Sequence, residues 1–246
     1  AGKQAMVYSR LSRRLRETAH RSFGSYLQWL ENTRGPEGER EWQEFVNCLT
    51  TNLTSFFREA YHFPILAEFL KKRVAQQGSV SIWCSAASTG EEPYSIAMTL
   101  RDCASAWSGF DIRVLATDLD TNCVAHGKRG VYSMDRVREL PDSLVQRWFD
   151  TGPEPDTVKV KPEVAAMVSF GQLNLMDPWP IKGPLDIIFC RNVVIYFDKP
   201  TQRVVFGSFA ELQRAGDHLF IGHSESLFNV CEHYELIGQT IHRKIG

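Results

Sequence analysis

The chain has no G-x-G-x-x-G and no G-K-[ST]. The glycine-rich loops that cradle pyrophosphate in nicotinamide and nucleoside-triphosphate proteins are therefore missing, and those classes fit badly. Its six cysteines, at 48, 84, 103, 123, 190 and 231, form no C-x-x-C pair and no metal-ligand spacing, so no metal site is expected. Cys84 and Cys190 lie inside apolar, strand-like runs, where cysteine behaves as a small buried hydrophobe. That usage points to a reducing, cytosolic compartment. No apolar run approaches the length needed to span a bilayer. Net charge is −1 over 246 residues, which argues against nucleic-acid binding by bulk electrostatics. Hydrophobic residues at 43% and aromatic residues at 11% suffice for a full core.

The most informative stretch is Ser79–Tyr94, SVSIWCSAASTGEEPY. Val80, Ile82, Trp83 and Cys84 form a run of strand length. Small residues from Ser85 to Gly90 follow, and then an amphipathic helix marked by Ile96, Met98 and Leu100. A strand entering a helix through a small-residue turn brings bare backbone up to a ligand. Ser88 with Glu91, and Thr89 with Glu92, have capping-box spacing, and Pro93 suits a first helical turn. Glu91 and Glu92 would repel phosphate at a helix start that otherwise attracts it. A cationic nucleoside fits instead, and S-adenosylmethionine carries a sulfonium, an ammonium and no phosphate.

Before this stretch the chain reads as helical. Val7, Leu11 and Leu15 make an i+4 stripe, flanked by Lys3, Arg10, Arg13, Arg14, Arg16 and Arg21 against Glu17 alone. That basic face is either solvated or a docking surface. Helices are expected around Ser25–Glu31 and Glu41–Leu49, with a turn over Thr33–Gly38 between them. A fourth runs through Leu66, Phe69 and Leu70 up to Gly78. Strands and helices then alternate, as in a mostly parallel sheet. Strands are expected at Ile112–Ala116, Leu185–Cys190, His218–Ile221 and near Thr240–Lys244, with a helix at Thr201–Arg214. Asp156–Val160 and Ala166–Phe170 read as a small antiparallel insert.

Ligands of open α/β sheets sit beyond the carboxyl ends of the strands. Those ends offer Ala86–Glu92, Asp118–Asp120, Asn174-Leu175, Arg191-Asn192 and His223-Ser224. An acid after the second strand suits a ribose diol, and Asp118 or Asp120 equally suits a helix cap. Arg191-Asn192 abruptly ends a buried strand and favours a site. His223-Ser224-Glu225 lacks the G-x-S-x-G of a hydrolase elbow and reads as a polar strand-end turn.

The segments TTNLTSFFREAYHFP, ASTGEEPYSIAMTL, LATDLD, NLMDPW, FCRNVVIYFD and GHSESLF run in order from Thr50 to Phe228. Together they resemble the chemotaxis receptor methyltransferases, the CheR family. The resemblance implies an α/β fold: a Rossmann-like S-adenosylmethionine-dependent domain with a small antiparallel insert, preceded by an all-α domain. It implies a receptor-binding helical domain over 1–55 and a catalytic domain over 56–246, with the insert at about 150–172. The implied reaction moves a methyl group from S-adenosylmethionine to glutamate carboxylates on the cytoplasmic helices of chemoreceptors, leaving S-adenosylhomocysteine. By motif, Asn52, Thr54, Arg58, Ala86, Glu92, Asp118, Asn174, Leu175, Arg191 and Asn192 are expected to bind cofactor, and Arg58 and Tyr196 to lie nearest the methyl group. Arg10, Arg13, Arg14 and Arg21 are expected to face the receptor. The enzyme is expected as a monomer in the bacterial cytoplasm, recruited to membrane receptor arrays. The chain starts at Ala1 without Met, so an upstream helix is expected to be missing. The turn Asp150–Asp156 is short and poor in glycine, against tethering to a receptor C-terminal peptide.

A glutamate acceptor with pKa of about 4.3 is ionised at neutral pH and needs no general base. No His–Asp dyad is evident, consistent with that chemistry. Three rivals stay open: a small-molecule methyltransferase, a non-catalytic receptor-binding module and a nicotinamide dehydrogenase.

Overall fold

A computed structural model describes residues 2–77, 79–104 and 111–246; Gly78, expected to end a helix, lies outside the described residues. Three helices come first: α1 (Gly2–Glu17), α2 (Phe23–Asn32) and α3 (Gly35–Leu49). Ser22 caps α2, its hydroxyl accepting from the Ser25 N–H. The third helix begins well before the expected Glu41. Pro36 sits in its first turn, where a missing N–H costs nothing, so the expected turn became helix. Gly38 is obligatory there, since a Cβ would lie 2.2 Å from the Thr33 carbonyl oxygen.

The remainder runs α4 (His62–Gln77), β1 (Ser79–Cys84), α5 (Glu91–Ala104), β2 (Asp111–Asp118), α6 (Thr121–Arg129), β3 (Val131–Ser133), α7 (Asp142–Trp148), β4 (Phe149–Thr151), β5 (Thr157–Val160), α8 (Pro162–Ala165), β6 (Val168–Gln172), β7 (Ile187–Cys190), α9 (Lys199–Glu211), β8 (His218–Ile221), β9 (Tyr234–Gly238) and β10 (Ile241–Lys244). Seven strands form one sheet in the order β6-β2-β1-β7-β8-β10-β9. The first five run parallel, and β10 lies antiparallel to both β8 and β9. From β1 the chain moves outward to β2 and β6, then returns to β7 on the opposite side. That reversal opens a crevice at the carboxyl ends of β1 and β7.

Strand alternation divides the core in two. Ile82 and Cys84 pack with Leu66, Leu70, Ile96 and Leu100 on the α4–α5 face. Trp83 points the other way, into Ile188, Leu219, Phe206 and Phe209 beside α9. The small antiparallel sheet has the order β3-β5-β4 and packs on Tyr94, Ala97 and Met98 of α5. Its extent corrects the expected 150–172. It begins at Val131, and Val168–Gln172 instead joins the main sheet, parallel to β2. Apolar content marked that segment as a strand without saying which sheet would take it.

The helical segment docks on the sheet through polar contacts. Asn47 Nδ2 donates to Thr121 Oγ1 at 2.9 Å, and Gln43 Nε2 to the Leu119 carbonyl at 3.2 Å. The strap Thr50–Arg58 then crosses the crevice, with Phe56 buried among Tyr132 and Phe149 of the small sheet.

Candidate functional site

A cavity of about 580 Å³ opens at the β1–β7 crevice, within the range for small-ligand sites. Its wall includes all eleven residues expected around the cofactor and methyl group: Asn52, Thr54, Arg58, Ala86, Glu92, Asp118, Asn174, Leu175, Arg191, Asn192 and Tyr196.

Beyond β1, ladder bonds continue into the turn: Ser85 N–H donates to the Phe189 carbonyl and Ala87 N–H to the Thr117 carbonyl. This fixes Ala86 as a bare backbone edge. Ser88 takes a positive φ of 49°, a strained conformation for a side-chain-bearing residue. Its N–H donates to Asp118 Oδ2 at 2.7 Å, while the Asp120 N–H donates to Oδ1 at 3.0 Å. Asp118 is thus aimed by two backbone amides. Burial pushes its carboxyl above the usual range against those amides, which favour the charge.

The expected capping boxes do not form, because both glutamates find other partners. Glu91 turns away from the cavity to Arg136 and to Thr89 Oγ1. Only Glu92 reaches the ligand space. Its Oε2 accepts from Arg191 Nη1 at 2.7 Å and its Oε1 from the Cys84 thiol at 3.2 Å. Burial raises the Glu92 carboxyl, opposed by the Arg191 charge.

Arg191 is wholly buried and also lies 3.3 Å from Glu59 Oε2. Asn192 adopts φ 58°, and its side chain donates to Glu59 at 3.3 Å. Glu59 accepts further from the His223 N–H and ring. Burial alone would raise Glu59, but the His223 and Arg191 contacts outweigh it and bring the carboxyl to about 2. Asn52 does not point freely into the cavity. Its Nδ2 donates to Asp120 Oδ2 at 2.6 Å, and its carbonyl accepts from Ser88 Oγ. Arg58 Nη1 donates to the Leu53 carbonyl at 2.8 Å. Tyr196, on a 3₁₀ turn over Val194–Tyr196, is 61% exposed at the mouth. Asn174 Oδ1 accepts the Met176 N–H, which shapes the turn that presents Leu175.

Two anchors, Glu225 and Arg136, were not foreseen, and a third, Asp120, was expected only as a strand-end acid or helix cap. Glu225 accepts the N–H groups of Asn192, Val193, Val194 and Gly222 at 2.6–2.9 Å. Asp120 caps α6 through the N–H groups of Asn122 and Cys123 and also ties down Thr50 and Asn52. Arg136 joins Glu91 to the Thr54 carbonyl. Only Asp120 carried a sequence signal, as a helix-cap candidate.

The arginines expected to face the receptor are divided. Arg13 and Arg21 are exposed, with Arg13 paired to Glu17 at 2.8 Å. Arg14 faces inward, its Nε 3.0 Å from Glu41 Oε1. Arg10 is also drawn inward, onto the end of α3.

The family models decide the family. "CheR methyltransferase, SAM binding domain" matches residues 52–243, and "CheR methyltransferase, all-alpha domain" matches residues 1–50. The chain belongs to the CheR methyltransferase family. A chemotaxis protein methyltransferase of Klebsiella aerogenes is 47% identical over 98% of this chain and 82% of its own length. Its Escherichia coli counterpart is 44% identical over the same shares. Chemotaxis protein methyltransferase 2 of Pseudomonas aeruginosa is 43% identical over 98% of this chain and 85% of its own. The CheR cofactor suits this cavity. Asp118 lines it with a carboxylate, Leu119, Leu173 and Leu175 line it with apolar side chains, and the sequence has no phosphate loop.

Proposed function

We propose that the protein methylates glutamate side chains on the cytoplasmic helices of chemoreceptors, using S-adenosylmethionine and releasing S-adenosylhomocysteine. The observation that carries this reading is the lack of an uncommitted general base among the described residues lining the cavity. Among the described residues lining it there is no histidine, lysine or cysteine. Its two carboxylates are committed, Glu92 to Arg191 and Cys84, and Asp118 to backbone amides. That lining suits an acceptor that arrives already nucleophilic, as an ionised carboxylate does at neutral pH.

Bound here, S-adenosylmethionine supplies a sulfonium-activated methyl group. Asp118 would hold the ribose, Leu175 and Asn174 the base, and Asn52, Thr54, Ala86, Glu92, Arg191 and Asn192 the remaining walls. Arg58, with a planar fork suited to a carboxylate, would orient the acceptor, and the Tyr196 hydroxyl would fix its second oxygen. Positioning of this kind supplies up to about 7–11 kcal/mol of a barrier. Residues 1–55 would present the receptor-facing surface, with Arg13, Arg16 and Arg21 as its outward charges. The protein would act in the cytoplasm beside membrane receptor arrays; among the described residues no helix is long and apolar enough to cross a membrane.

The test is methyl transfer from labelled S-adenosylmethionine to chemoreceptors, followed by mild alkali. A carboxyl ester releases its label as methanol, whereas alkali-stable label on nitrogen would sink the reading. Arg58→Ala and Tyr196→Phe should lower kcat more than they weaken binding of S-adenosylhomocysteine.

A further inference from the structure

Met6 and Arg10 lie four residues apart on α1 and so share one face. Met6 reaches the wall of the cofactor cavity from outside the methyltransferase sheet. Arg10 Nη1 donates to the carbonyls of Leu49 and Thr50 at 2.6 and 2.8 Å, and Nη2 donates to Thr51 Oγ1 at 2.9 Å. These three consecutive acceptors themselves line the cavity, at the point where α3 ends and the strap begins. The last carbonyls of a helix lack internal partners, and a cation there meets both those carbonyls and the negative end of the dipole. The chain of bonds continues inward. Thr50 Oγ1 donates to Asp120 Oδ2 at 2.8 Å and accepts from Asn52 Nδ2 at 3.0 Å.

We propose that Arg10 is a positioning residue of the cofactor site: it latches α1, with Met6, onto the Leu49–Asn52 wall. The proposal rests on the cofactor reading above. Arg10 therefore differs in kind from Arg16 on the same helix, which is exposed and belongs to the outward face.

Calorimetry with S-adenosylhomocysteine separates the two roles, run on wild type, Arg10→Ala, Arg10→Lys, Arg16→Ala and Met6→Ala. Arg10→Ala should weaken binding about 5- to 50-fold, with faster release in stopped flow, since it removes charge-assisted bonds from the wall. Arg10→Lys, which keeps the charge without the fork, should fall between it and wild type. Met6→Ala should weaken binding by about 2- to 10-fold through lost apolar contact, and Arg16→Ala should leave it unchanged. Ligand-free thermal unfolding reports on folding; where Arg10→Ala does not fold, Arg10→Lys and Met6→Ala carry the test. An unchanged dissociation constant for Arg10→Ala with a raised receptor KM would make Arg10 a receptor contact and overturn the latch. So would equal losses in Arg10→Ala and Arg16→Ala. If wild type itself fails to bind S-adenosylhomocysteine, the underlying cofactor reading falls instead.

Discussion

Arg191 and Glu92 meet beneath the cavity with Nη1 and Oε2 2.7 Å apart, the arginine side chain fully withdrawn from water and the glutamate 9% exposed. The pair joins the end of β7 to the start of α5, and so fixes the two lips of the crevice against each other. Breaking a buried pair costs more than the pair contributes, because the survivor keeps its charge without its partner. Glu92→Ala should destabilise the protein by about 2–4 kcal/mol, cushioned by the second contact of Arg191 with Glu59. Glu92→Gln, which keeps a carbonyl acceptor, should cost about 1–2 kcal/mol. Both should weaken cofactor binding. Urea unfolding and calorimetry on the same preparations check this, and a Glu92→Ala protein of wild-type stability would contradict it.

Glu225 holds the Asn192–Val194 loop by its backbone alone, and that loop carries Tyr196 into the mouth. Burial raises the Glu225 carboxyl although four amides favour its charge. Glu225→Ala would leave those amides without an acceptor and should cost about 3–5 kcal/mol. Glu225→Gln should fold better and still lose kcat, since an amide N–H cannot accept from either amide on its oxygen's former side. The readout is kcat at saturating cofactor and receptor, beside ligand-free stability. A Gln variant with full kcat would show that the loop holds its shape without this carboxylate.

The insert that carries the small sheet reaches the strap at two points. Phe56 is buried in its core, and Arg136 connects Glu91 to the Thr54 carbonyl. Phe56→Ala should cost about 3–5 kcal/mol through the cavity it leaves. Arg136→Ala strands the buried Glu91 charge and should cost a similar amount. The double variant Glu91→Gln, Arg136→Met should recover much of that stability and still bind cofactor more weakly, because Thr54 has lost its donor. Wild-type cofactor affinity in the double variant would mean the strap does not depend on the insert.

Strand-end residues are legible in the sequence for a simple reason. In alternating β and α segments, each apolar run delivers the residue after it to the same edge, so Ala86, Asp118 and Arg191 were placed by pattern. Asn52, Thr54 and Arg58 were not. Their strap has no periodicity, and only resemblance to a known motif pointed to them. The exposed edge strand Tyr234–Gly238 escaped notice because only one of its five residues is buried, and β3 and β4 are three residues each, too short to show alternation. The basic helix illustrates a further limit. Arg10, Arg13, Arg14 and Arg16 are alike in sequence, and only the carbonyls of Leu49 and Thr50 and the carboxylate of Glu41 separate inward from outward charges. Glu59 and Glu225 were unreadable for the same reason, since most of their partners, backbone amides and for Glu59 also the His223 ring and Arg191, lie far away in the sequence.

Three histidines withdrawn from water, His62 and His242 buried and His218 half-buried, make stability fall as pH falls. They are opposed in part by the raised carboxyls of Asp118, Glu92 and Glu225, which take up protons first in the folded chain. Burial lowers His62 to about 3, and His218 and His242 to about 4. Each is neutral in the folded chain and takes up a proton on unfolding once the pH drops below about 6.5. Unfolding therefore binds protons, and stability falls as pH falls from 6.5 toward 4. The slope reaches at most about 1.4 kcal/mol per pH unit for each histidine, or about 4 for the three. Glu59 works in a lower window. Its depressed carboxyl contributes stability that is present above about 4.5 and is lost as pH falls toward 2. Urea midpoints at pH 7, 6 and 5 should therefore decline, and His242→Gln should flatten that decline by about a third. Stability that stays level from pH 7 to 5 would contradict the burial argument. Activity should behave differently. With no histidine among the described residues of the cavity wall, kcat should hold level from pH 6 to 9 wherever the protein stays folded. A sharp fall in kcat between pH 7 and 6, in protein shown by circular dichroism to be folded, would reveal a general base and exclude an acceptor that arrives already ionised.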